Sequence, residues 1–344
     1  MPLFKVYLGA VGISAGVTFA ATPLVRACAL RFGWVDAPSS KIKTHKVTTP
    51  SLGGIAIYLG FVSALLYMRF ATQFPTGTLH ALRALLFGGT LVFLGGVVDD
   101  LKKPQGLGFK EKFVIQALGA ALLILFGIRI RFIKPDYISL GLTLFWVVGI
   151  TNAYNIIDIM DGLAASQAGI AALGFLLISL PSEELYVNIA SAALAGAALG
   201  FLPWNFSSKK KIFMGDCGSM FLGFVLSGIS MGTRYSDINN LGVFCPLLIV
   251  LVPMYDTLFV MYLRLRDGQS PFLGSKDHFA LRLEKAGYSR GRIVLMAAFA
   301  AGFLGFCGFL VTQFDWRWAL GIYAMVLVEV LLLSKALAEI VMHD

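Results

Sequence analysis

The stretch LVFLGGVVDD at residues 91–100 shows the pattern that decides the fold of this chain, because a long apolar run ends directly in two carboxylates. Two further segments share the pattern. The segment at residues 152–162, NAYNIIDIMDG, follows an apolar run, and FMGDCGS at residues 213–219 precedes another. Aspartate is costly beside hydrocarbon, so each of these aspartates is a functional candidate. Three such ends predict a site for a hard cation and an anionic substrate at a membrane surface.

The composition is typical of a polytopic membrane protein. Of the 344 residues, 58% are hydrophobic and 14% are charged, and the mean hydropathy is +0.79. These values exclude an ordinary soluble domain. An apolar helix needs about 20 residues to cross a bilayer, so we predict an all-α protein with about 10–11 transmembrane helices in a single membrane domain over residues 1–344. The candidate spans lie near residues 6–30, 52–70, 82–98, 110–128, 137–151, 163–180, 185–202, 217–233, 238–262, 292–312 and 318–341.

Lysine and arginine are distributed unevenly between the two sets of loops. One set carries 18 basic residues and the other carries 8. The richer set comprises residues 31–51, 99–112, 151–162, 203–216 and 263–292. Because cytoplasmic loops carry the excess of positive charge, this set is predicted to be cytoplasmic, with the N-terminus outside and the C-terminus inside. All three aspartate segments then face the cytoplasm.

The paired aspartates Asp99 and Asp100 have two interpretations. Adjacent carboxylates repel each other unless a cation lies between them, which favours a site. Lys102 and Lys103 follow at once, so a solvated helix end is the alternative. Lys112 begins the next apolar run near the same surface, where it either binds phosphate or sets the topology.

Four polar residues recur at a spacing of three in the second segment: Asn152, Asn155, Asp158 and Asp161. On a helix this spacing places them along one stripe, within reach of one ligand. Such a stripe is difficult to explain as packing in an otherwise apolar segment. The alternative is that Asp158 or Asp161 caps the helix that follows.

Asp216 lies between two glycines, Gly215 and Gly218, just before an apolar run. It is either a helix cap in a turn or a metal ligand on a loop that lets a phosphate approach the backbone. The run Lys209–Lys211 before it is a topology signal or a site for anionic head groups.

Two acidic residues lie deeper in the apolar runs. Asp256 follows Pro253 and indicates either a broken helix beside a polar cavity or an ion pair within the bundle. Glu329 has no evident partner or role. The isolated histidines His45 and His278 lie in polar loops, where a single histidine is usually inert.

In this order, the segments resemble those of the polyprenyl-phosphate N-acetylhexosamine 1-phosphate transferases. That family includes the initiators of O-antigen and teichoic acid synthesis. The resemblance covers the chain from Asp36 to Arg292. The matching segments are residues 43–54, 97–100, 112–116, 152–163, 213–219 and 253–257 and the loop that contains His278.

The resemblance implies roles for particular residues. The catalytic residues would be Asp99, Asp100 and Asp158, one of the paired aspartates positioning or deprotonating a lipid phosphate or acting as a nucleophile. The ligands of Mg²⁺, or of Mn²⁺, would be Asp216, Asn155 and Asp158. The substrate-binding residues would be Lys112, Asn152, Asn155, Asp161, His278, Arg282, His45 and Lys43.

The reaction implied by the resemblance moves a sugar 1-phosphate from a UDP-sugar to undecaprenyl or another polyprenyl phosphate and releases UMP. N-acetylglucosamine is the commonest sugar in the initiator branch. The lipid product begins a cell-envelope polysaccharide, such as lipopolysaccharide or teichoic acid, in the bacterial inner membrane. The expected partners are the two substrates and membrane lipids, with a homodimer as a further option and no nucleic acid.

Other functions leave specific features unexplained. A secondary transporter of an anionic solute would place its charges near the bilayer midplane, whereas these carboxylates lie at the ends of apolar runs. In the family, the pentapeptide-substrate translocase of peptidoglycan synthesis has three clustered histidines. Its three histidines are adjacent and an acidic residue follows them. Many other relatives have an H-x-H-H-R-L-like arrangement, of which only His278 remains here, with Ala280 and Leu281 where the other histidines would be. A scaffolding protein would not need the regular Asn/Asp spacing.

The predicted orientation can be tested with single cysteines in a variant that lacks the four native ones. Cysteines at Lys210 and Ser275 should resist an impermeant thiol reagent in intact cells, because both positions face the cytoplasm, and a cysteine at Glu183 should react. Permeabilised cells, in which all three react, are the control. Labelling at Ser275 in intact cells would contradict the orientation.

Overall fold

The computed structural model describes residues 3–38, 47–71, 77–181, 184–271 and 275–342. Across these ranges the chain is nearly all helical. One short antiparallel pairing joins β1 (Val35–Asp36) to β2 (Thr49–Pro50), with Val35 opposite Pro50. The predicted class, an all-α multi-pass membrane protein, is confirmed.

The helices coincide with the predicted apolar runs. They are α1 (Leu3–Phe32), α2 (Gly54–Ala71), α3 (Thr78–Leu101), α4 (Phe109–Leu125), α5 (Asp136–Ile156), α6 (Leu163–Ser179), α7 (Leu185–Asn205), α8 (Gly215–Ser230), α9 (Cys245–Ile249), α10 (Leu251–Arg266), α11 (Phe279–Lys285), α12 (Arg290–Gln313) and α13 (Trp316–Ala338). A 3₁₀ turn, Asn240–Phe244, precedes α9. The short α11 lies in the long polar loop between the ninth and tenth predicted spans.

Among the described residues, seven helices are long and apolar enough to cross a membrane, and the bent pair that ends in α10 makes an eighth. Three further runs form α4, α6 and α8, which have 17, 17 and 16 residues. At 1.5 Å per residue such helices are about 24–26 Å long, slightly less than the hydrocarbon core. Every residue of α8 except Asp216 is buried, so this helix is surrounded by protein and need not match the bilayer.

Close helix packing around α8 brings the ends of three helices together. A Cβ atom on Gly96 of α3 would lie 2.4 Å from the Cα of Cys217, and one on Gly223 would lie 2.8 Å from the Cα of Thr151 on α5. Small residues of this kind let helix backbones approach in membranes, where packing replaces the hydrophobic effect between helices. The end of α3 and the start of α8 are therefore held at contact distance.

The loop after β2 is joined to the loop before α8 by backbone hydrogen bonds. The amide of Phe213 donates to Pro50 O at 2.8 Å, and the amides of Gly53 and Gly54 donate to Phe213 O and Met214 O at 2.9 and 2.8 Å. This pairing fixes the segment that carries Asp216, because its backbone groups are satisfied by a neighbouring strand-like segment.

The ninth predicted span is broken, as Asp256 after Pro253 indicated. The helices before and after Val250 are bent by 73°. Pro253 lies in the first turn of α10, where a missing amide proton costs no helical hydrogen bond. After the break, α10 lines the cavity described below with Met254, Thr257 and Leu258, whereas Asp256 is fully buried.

The packing of α3 on α8 predicts the effect of one methyl group. Gly96→Ala should lower the midpoint of thermal unfolding in detergent, because overpacking of a close contact costs about 1–3 kcal/mol. The matched control is Gly302→Ala on α12, where a Cβ would meet no atom within 4 Å. Equal midpoints for the two variants would contradict the inferred packing.

Candidate active site

A cavity of about 1210 Å³ lies where the ends of α3, α5 and α7 meet the starts of α4, α8 and α11. It is lined by residues from the second and third aspartate segments and from the His278 loop, and the first segment lies next to it because Asp99 and Asp100 adjoin Asp216. Seven predicted site residues line it: Lys112, Asn152, Asn155, Asp158, Asp161, Asp216 and His278. Residues that are distant in the sequence are therefore neighbours here, as the sequence predicted for the aspartate segments.

Three carboxylates form a compact cluster beside this cavity. One oxygen from each of Asp99, Asp100 and Asp216 lies within 4.8 Å of the others. Asp99 and Asp100 are 3% and 6% exposed, so they are not a solvated helix end. The interpretation of this pair as part of a site is supported by its burial.

Two lysines neutralise the carboxylate cluster. Lys112 Nζ donates to Asp216 and lies 3.1 Å from Asp99 Oδ1. Lys103 Nζ lies 2.7 Å from Asp100 Oδ1 and 3.6 Å from Asp216 Oδ1. Burial disfavours the charged form of Lys103, but the carboxylates of Asp100 and Asp216 outweigh burial and raise its pKa. Both lysines therefore carry positive charge into the cavity.

Asp100 connects α3 to the beginning of α8. Its Oδ1 accepts from the amide of Asp216 at 3.1 Å and its Oδ2 from the amide of Cys217 at 3.0 Å. A carboxylate at a helix N-terminus satisfies free amides and interacts favourably with the helix dipole. Gly215 has φ +76°, and a Cβ there would lie 2.4 Å from Asp100 Oδ2. Glycine is therefore required where the two segments meet.

The loop between α3 and α4 folds back over Asp99. Leu107 donates its amide proton to Asp99 Oδ1 at 2.7 Å, and Gly106 makes the turn with φ +64°. Asp99 is thus bound by a backbone amide and by Lys112. Of the three clustered carboxylates, Asp216 is the one that lines the cavity, with 18% of its side chain exposed.

The predicted helical stripe is interrupted. Asn152 and Asn155 lie on α5, which ends at Ile156, whereas Asp158 and Asp161 lie in the turn that follows. The expectation of one helix through all four residues is therefore wrong. The reason is that the chain turns between the two helices, and Gly162, the residue before α6, has a φ of +75° that a helix would not allow. All four side chains nevertheless line the cavity.

Neighbouring side chains hold the two asparagines. Asn152 Nδ2 donates to Gln116 Oε1 on α4 at 2.5 Å and to Val148 O at 2.8 Å. Asn155 Nδ2 donates to Ser219 Oγ on α8 at 3.0 Å. These bonds orient both amides and join α5 to its neighbours at the site.

Asp158 and Asp161 differ in their environments. Burial, followed by the nearby carboxylate of Asp216, raises the pKa of Asp158 to about 7. Among the described residues Asp158 makes no hydrogen bond or ion pair. Asp161 instead forms an ion pair, with Oδ2 2.5 Å from Lys211 Nζ. The same ammonium group lies 5.3 Å from the centre of the Phe213 ring. Asp158 is thus, among the described residues, a cavity-lining carboxyl that no protein group holds.

His278 lines the cavity, but Arg282 does not. The Nδ1 of His278 lies 2.7 Å from Asp256 Oδ2, so Asp256 has a partner within the bundle. Arg282 lies one turn further along α11 and donates to Asp277 Oδ1 at 2.6 Å and to the backbone oxygens of Leu337 and Ile340 at 3.1 and 2.5 Å. The structure therefore uses Arg282 to anchor α11 to the end of α13. Lys43 and His45 lie outside the described residues.

The structure also adds basic residues that the sequence patterns did not assign to the site: Lys103, Lys211 and Arg290. Lys103 and Lys211 have the pattern of topology signals, since each directly follows or precedes an apolar run. The only indication in the sequence is their position next to Asp100 and to the Asp216 segment. Arg290 is bound by Glu284, with Nε 2.7 Å from Oε1.

The donor set fits a hard divalent cation. Oxygen ligands from carboxylates are those that Mg²⁺ and Mn²⁺ prefer. The compact cluster of Asp99, Asp100 and Asp216 shares Asp216 with the predicted ligand set, whose other members, Asn155 and Asp158, line the adjoining wall. Asp216 is therefore the residue on which both assignments agree.

Fold and site together define a multi-pass membrane protein with a charged site at the ends of its helices. The chain belongs to glycosyl transferase family 4, which residues 82–233 match. It is 33% identical over 292 residues to the probable undecaprenyl-phosphate N-acetylglucosaminyl 1-phosphate transferase of Bacillus subtilis strain 168, covering 82% of this chain and 78% of that protein.

Two other relatives have similar coverage. The decaprenyl-phosphate N-acetylglucosaminephosphotransferase of Mycolicibacterium smegmatis is 34% identical over 341 residues, with 90% of this chain and 83% of that protein covered. The undecaprenyl-phosphate alpha-N-acetylglucosaminyl 1-phosphate transferase of Escherichia coli K12 is 29% identical over 301 residues, with coverages of 83% and 78%.

A cation site that contains Asp216 predicts a direct binding result. Asp216→Asn should weaken Mn²⁺ binding by more than about 10-fold, because it removes an anionic ligand. Binding is measured by electron paramagnetic resonance of free Mn²⁺ in titrations of the detergent-solubilised protein. The control is Asp237→Asn in an exposed loop. If both variants bind Mn²⁺ as the unmodified chain does, Asp216 is not a ligand.

Proposed function

We propose that this protein transfers N-acetylglucosamine 1-phosphate from a UDP-sugar to undecaprenyl or another polyprenyl phosphate in the bacterial inner membrane. UMP is released, and the product is a lipid diphosphate that carries the sugar and begins an envelope polysaccharide. The observation that carries this proposal is the cluster of Asp99, Asp100 and Asp216 with Lys103 and Lys112 at a cavity that is partly polar and partly apolar. The names of the relatives support the acceptor and the transferred group.

The cavity suits one polar and one lipid substrate. Its polar part contains His278 and three lysines, Lys103, Lys112 and Lys211, and the lysines are suited to phosphate groups. Its apolar part is lined by side chains of α4, α5 and α10, namely Phe113, Leu144, Phe145, Leu258 and Met261. An acceptor lipid can place its phosphate among the lysines while its chain stays against apolar side chains.

Direct transfer is the mechanism that this arrangement favours. A phosphate oxygen of the lipid attacks the sugar-bearing phosphorus of the donor, the bond from that phosphorus to the bridging oxygen breaks, and UMP leaves. Such a reaction requires positioning and charge neutralisation more than covalent participation by the protein. Both oxygens of Asp100 are already bound by Lys103 and backbone amides, which argues against this residue as a nucleophile.

The residues around the phosphates would have distinct tasks. Lys103 and Lys112 neutralise charge on the transferred group, and Asp158 is placed to accept a proton from the acceptor phosphate. Asn152 and Asn155, held by Gln116 and Ser219, orient the donor through hydrogen bonds. Mg²⁺ held by Asp216 and its neighbours would supply Lewis-acid stabilisation of the diphosphate.

The transport alternative has less support. A transporter site would lie near the bilayer midplane between repeated halves of the chain. The clustered carboxylates here lie at the end of α3 and the start of α8, and the relatives above are named as transferases. Of the broken span, the second part, α10, lines this same cavity.

The leaving group provides the decisive test. Solubilised protein is incubated with Mg²⁺, undecaprenyl phosphate and UDP-N-acetylglucosamine labelled in the β-phosphate. Label should move into the lipid fraction, and excess UMP should return it to UDP-sugar, because one diphosphate linkage is exchanged for another. Label in free UDP would indicate attack at the sugar carbon and contradict the proposal. Transfer from a different UDP-N-acetylhexosamine instead would change the sugar assignment alone.

A further inference from the structure

Asp256 is a buried acidic residue to which the reaction described above gives no role. It lies on α10, within two turns of the break at Val250, and is 0% exposed. Its Oδ2 lies 2.7 Å from His278 Nδ1, and its Oδ1 accepts from the amide of Phe279 at 2.9 Å. His278 is 6% exposed and lines the cavity. Asp256 therefore lies directly behind the histidine, on the side away from the cavity.

The chemistry of this contact determines the state of the ring. An ionised carboxylate can only accept hydrogen bonds, so the Nδ1 atom of His278 must carry the proton that they share. In the neutral ring the other nitrogen, Nε2, is then an unprotonated acceptor. Because the Nδ1 edge is turned towards Asp256, Nε2 is the ring nitrogen left for a ligand in the cavity. A carboxylate that fixes the tautomer and orientation of a histidine is a recurring device in catalytic and metal sites.

We propose that Asp256 is a positioning residue that holds His278 as the Nδ1–H tautomer with Nε2 directed, as an acceptor, at a hydroxyl or amide N–H group of the bound donor. The identity of the ligand rests on the proposed function, but the state of the ring does not. The amide of Phe279 fixes the orientation of the Asp256 carboxylate, because it donates to the second oxygen and holds it at the start of α11.

The variant Asp256→Asn isolates this role from that of packing. The Asn side chain has the same shape, and its oxygen must remain on the Phe279 amide, because the alternative would place two donors against each other. Its NH₂ group then faces His278 and donates to Nδ1. The ring is expected to change to the Nε2–H tautomer while both hydrogen bonds persist.

The tautomer can be measured without substrate. The chain has four histidines, so ¹⁵N labelling of histidine rings gives few signals, and the signal lost in His278→Gln identifies this ring. At a pH at which the ring is neutral, the unmodified protein should show protonated Nδ1, and Asp256→Asn should show protonated Nε2. The same tautomer in both proteins, or an unprotonated Nδ1 in the unmodified one, would overturn the proposal.

Kinetics with UDP-N-acetylglucosamine and undecaprenyl phosphate distinguish positioning from general stabilisation. Asp256→Asn and His278→Gln should each lower kcat/KM by at least about 10²-fold, and the double variant should lose no more than the single ones. Additive losses would mean that Asp256 acts independently of His278 and would overturn the proposal. The matched control is Ser334→Ala, which removes a hydrogen bond between α13 and Tyr255, the residue next to Asp256.

Two further comparisons keep the outcomes separate. If Asp256→Asn does not fold, as judged by its thermal unfolding midpoint, Asp256→Glu replaces it. That variant should keep the Nδ1–H tautomer, lose kcat/KM because the ring is displaced, and show no further loss when combined with His278→Gln. If the unmodified protein shows the expected tautomer but no turnover, the proposed function fails while the positioning of the ring stands.

Discussion

A carboxylate buried at the end of a membrane helix must be neutralised and hydrogen-bonded, because an unpaired buried charge costs several kcal/mol. In this protein that requirement is concentrated at Asp100. Its two oxygens accept hydrogen bonds from the first amides of α8, and Lys103 neutralises it. The same contacts bring Asp216, on α8, next to Asp99 and Asp100, on α3. A structural constraint, the capping of a central buried helix, thereby produces the charged centre of the site.

Close packing makes this arrangement possible. Gly96 on α3 and Gly215 before α8 have no side chain where one would collide with Cys217 or with the Asp100 carboxylate. Helices in a membrane gain stability through such approaches, since lipid is as apolar as the side chains it would replace. The site is thus built on helix ends whose separation is set by backbone contact. Rigid support of this kind favours reactions that depend on positioning.

The cavity combines two environments that a membrane enzyme of this family needs. On one side are lysines paired with carboxylates, and on the other are apolar side chains of α4, α5 and α10. The break before α10 contributes to both, because it brings apolar residues to the apolar wall and Asp256 to the back of His278. An irregular backbone at membrane depth is tolerated where it is buried in protein or lines a polar cavity.

The sequence by itself determined the helices and the regions that meet at the site. Each predicted apolar run lies on a helix or on the broken group that ends in α10, because hydropathy over about 20 residues is a local property matched to bilayer thickness. The aspartate segments are likewise recognisable, since charge beside hydrocarbon needs a reason. Only the tertiary structure decided the partners. It ended the polar stripe at Ile156, paired Asp256 with His278 and turned Arg282 towards Leu337. These choices depend on ångström-scale distances between residues far apart in the chain, and the spacing of residues within one segment carries no information about such distances.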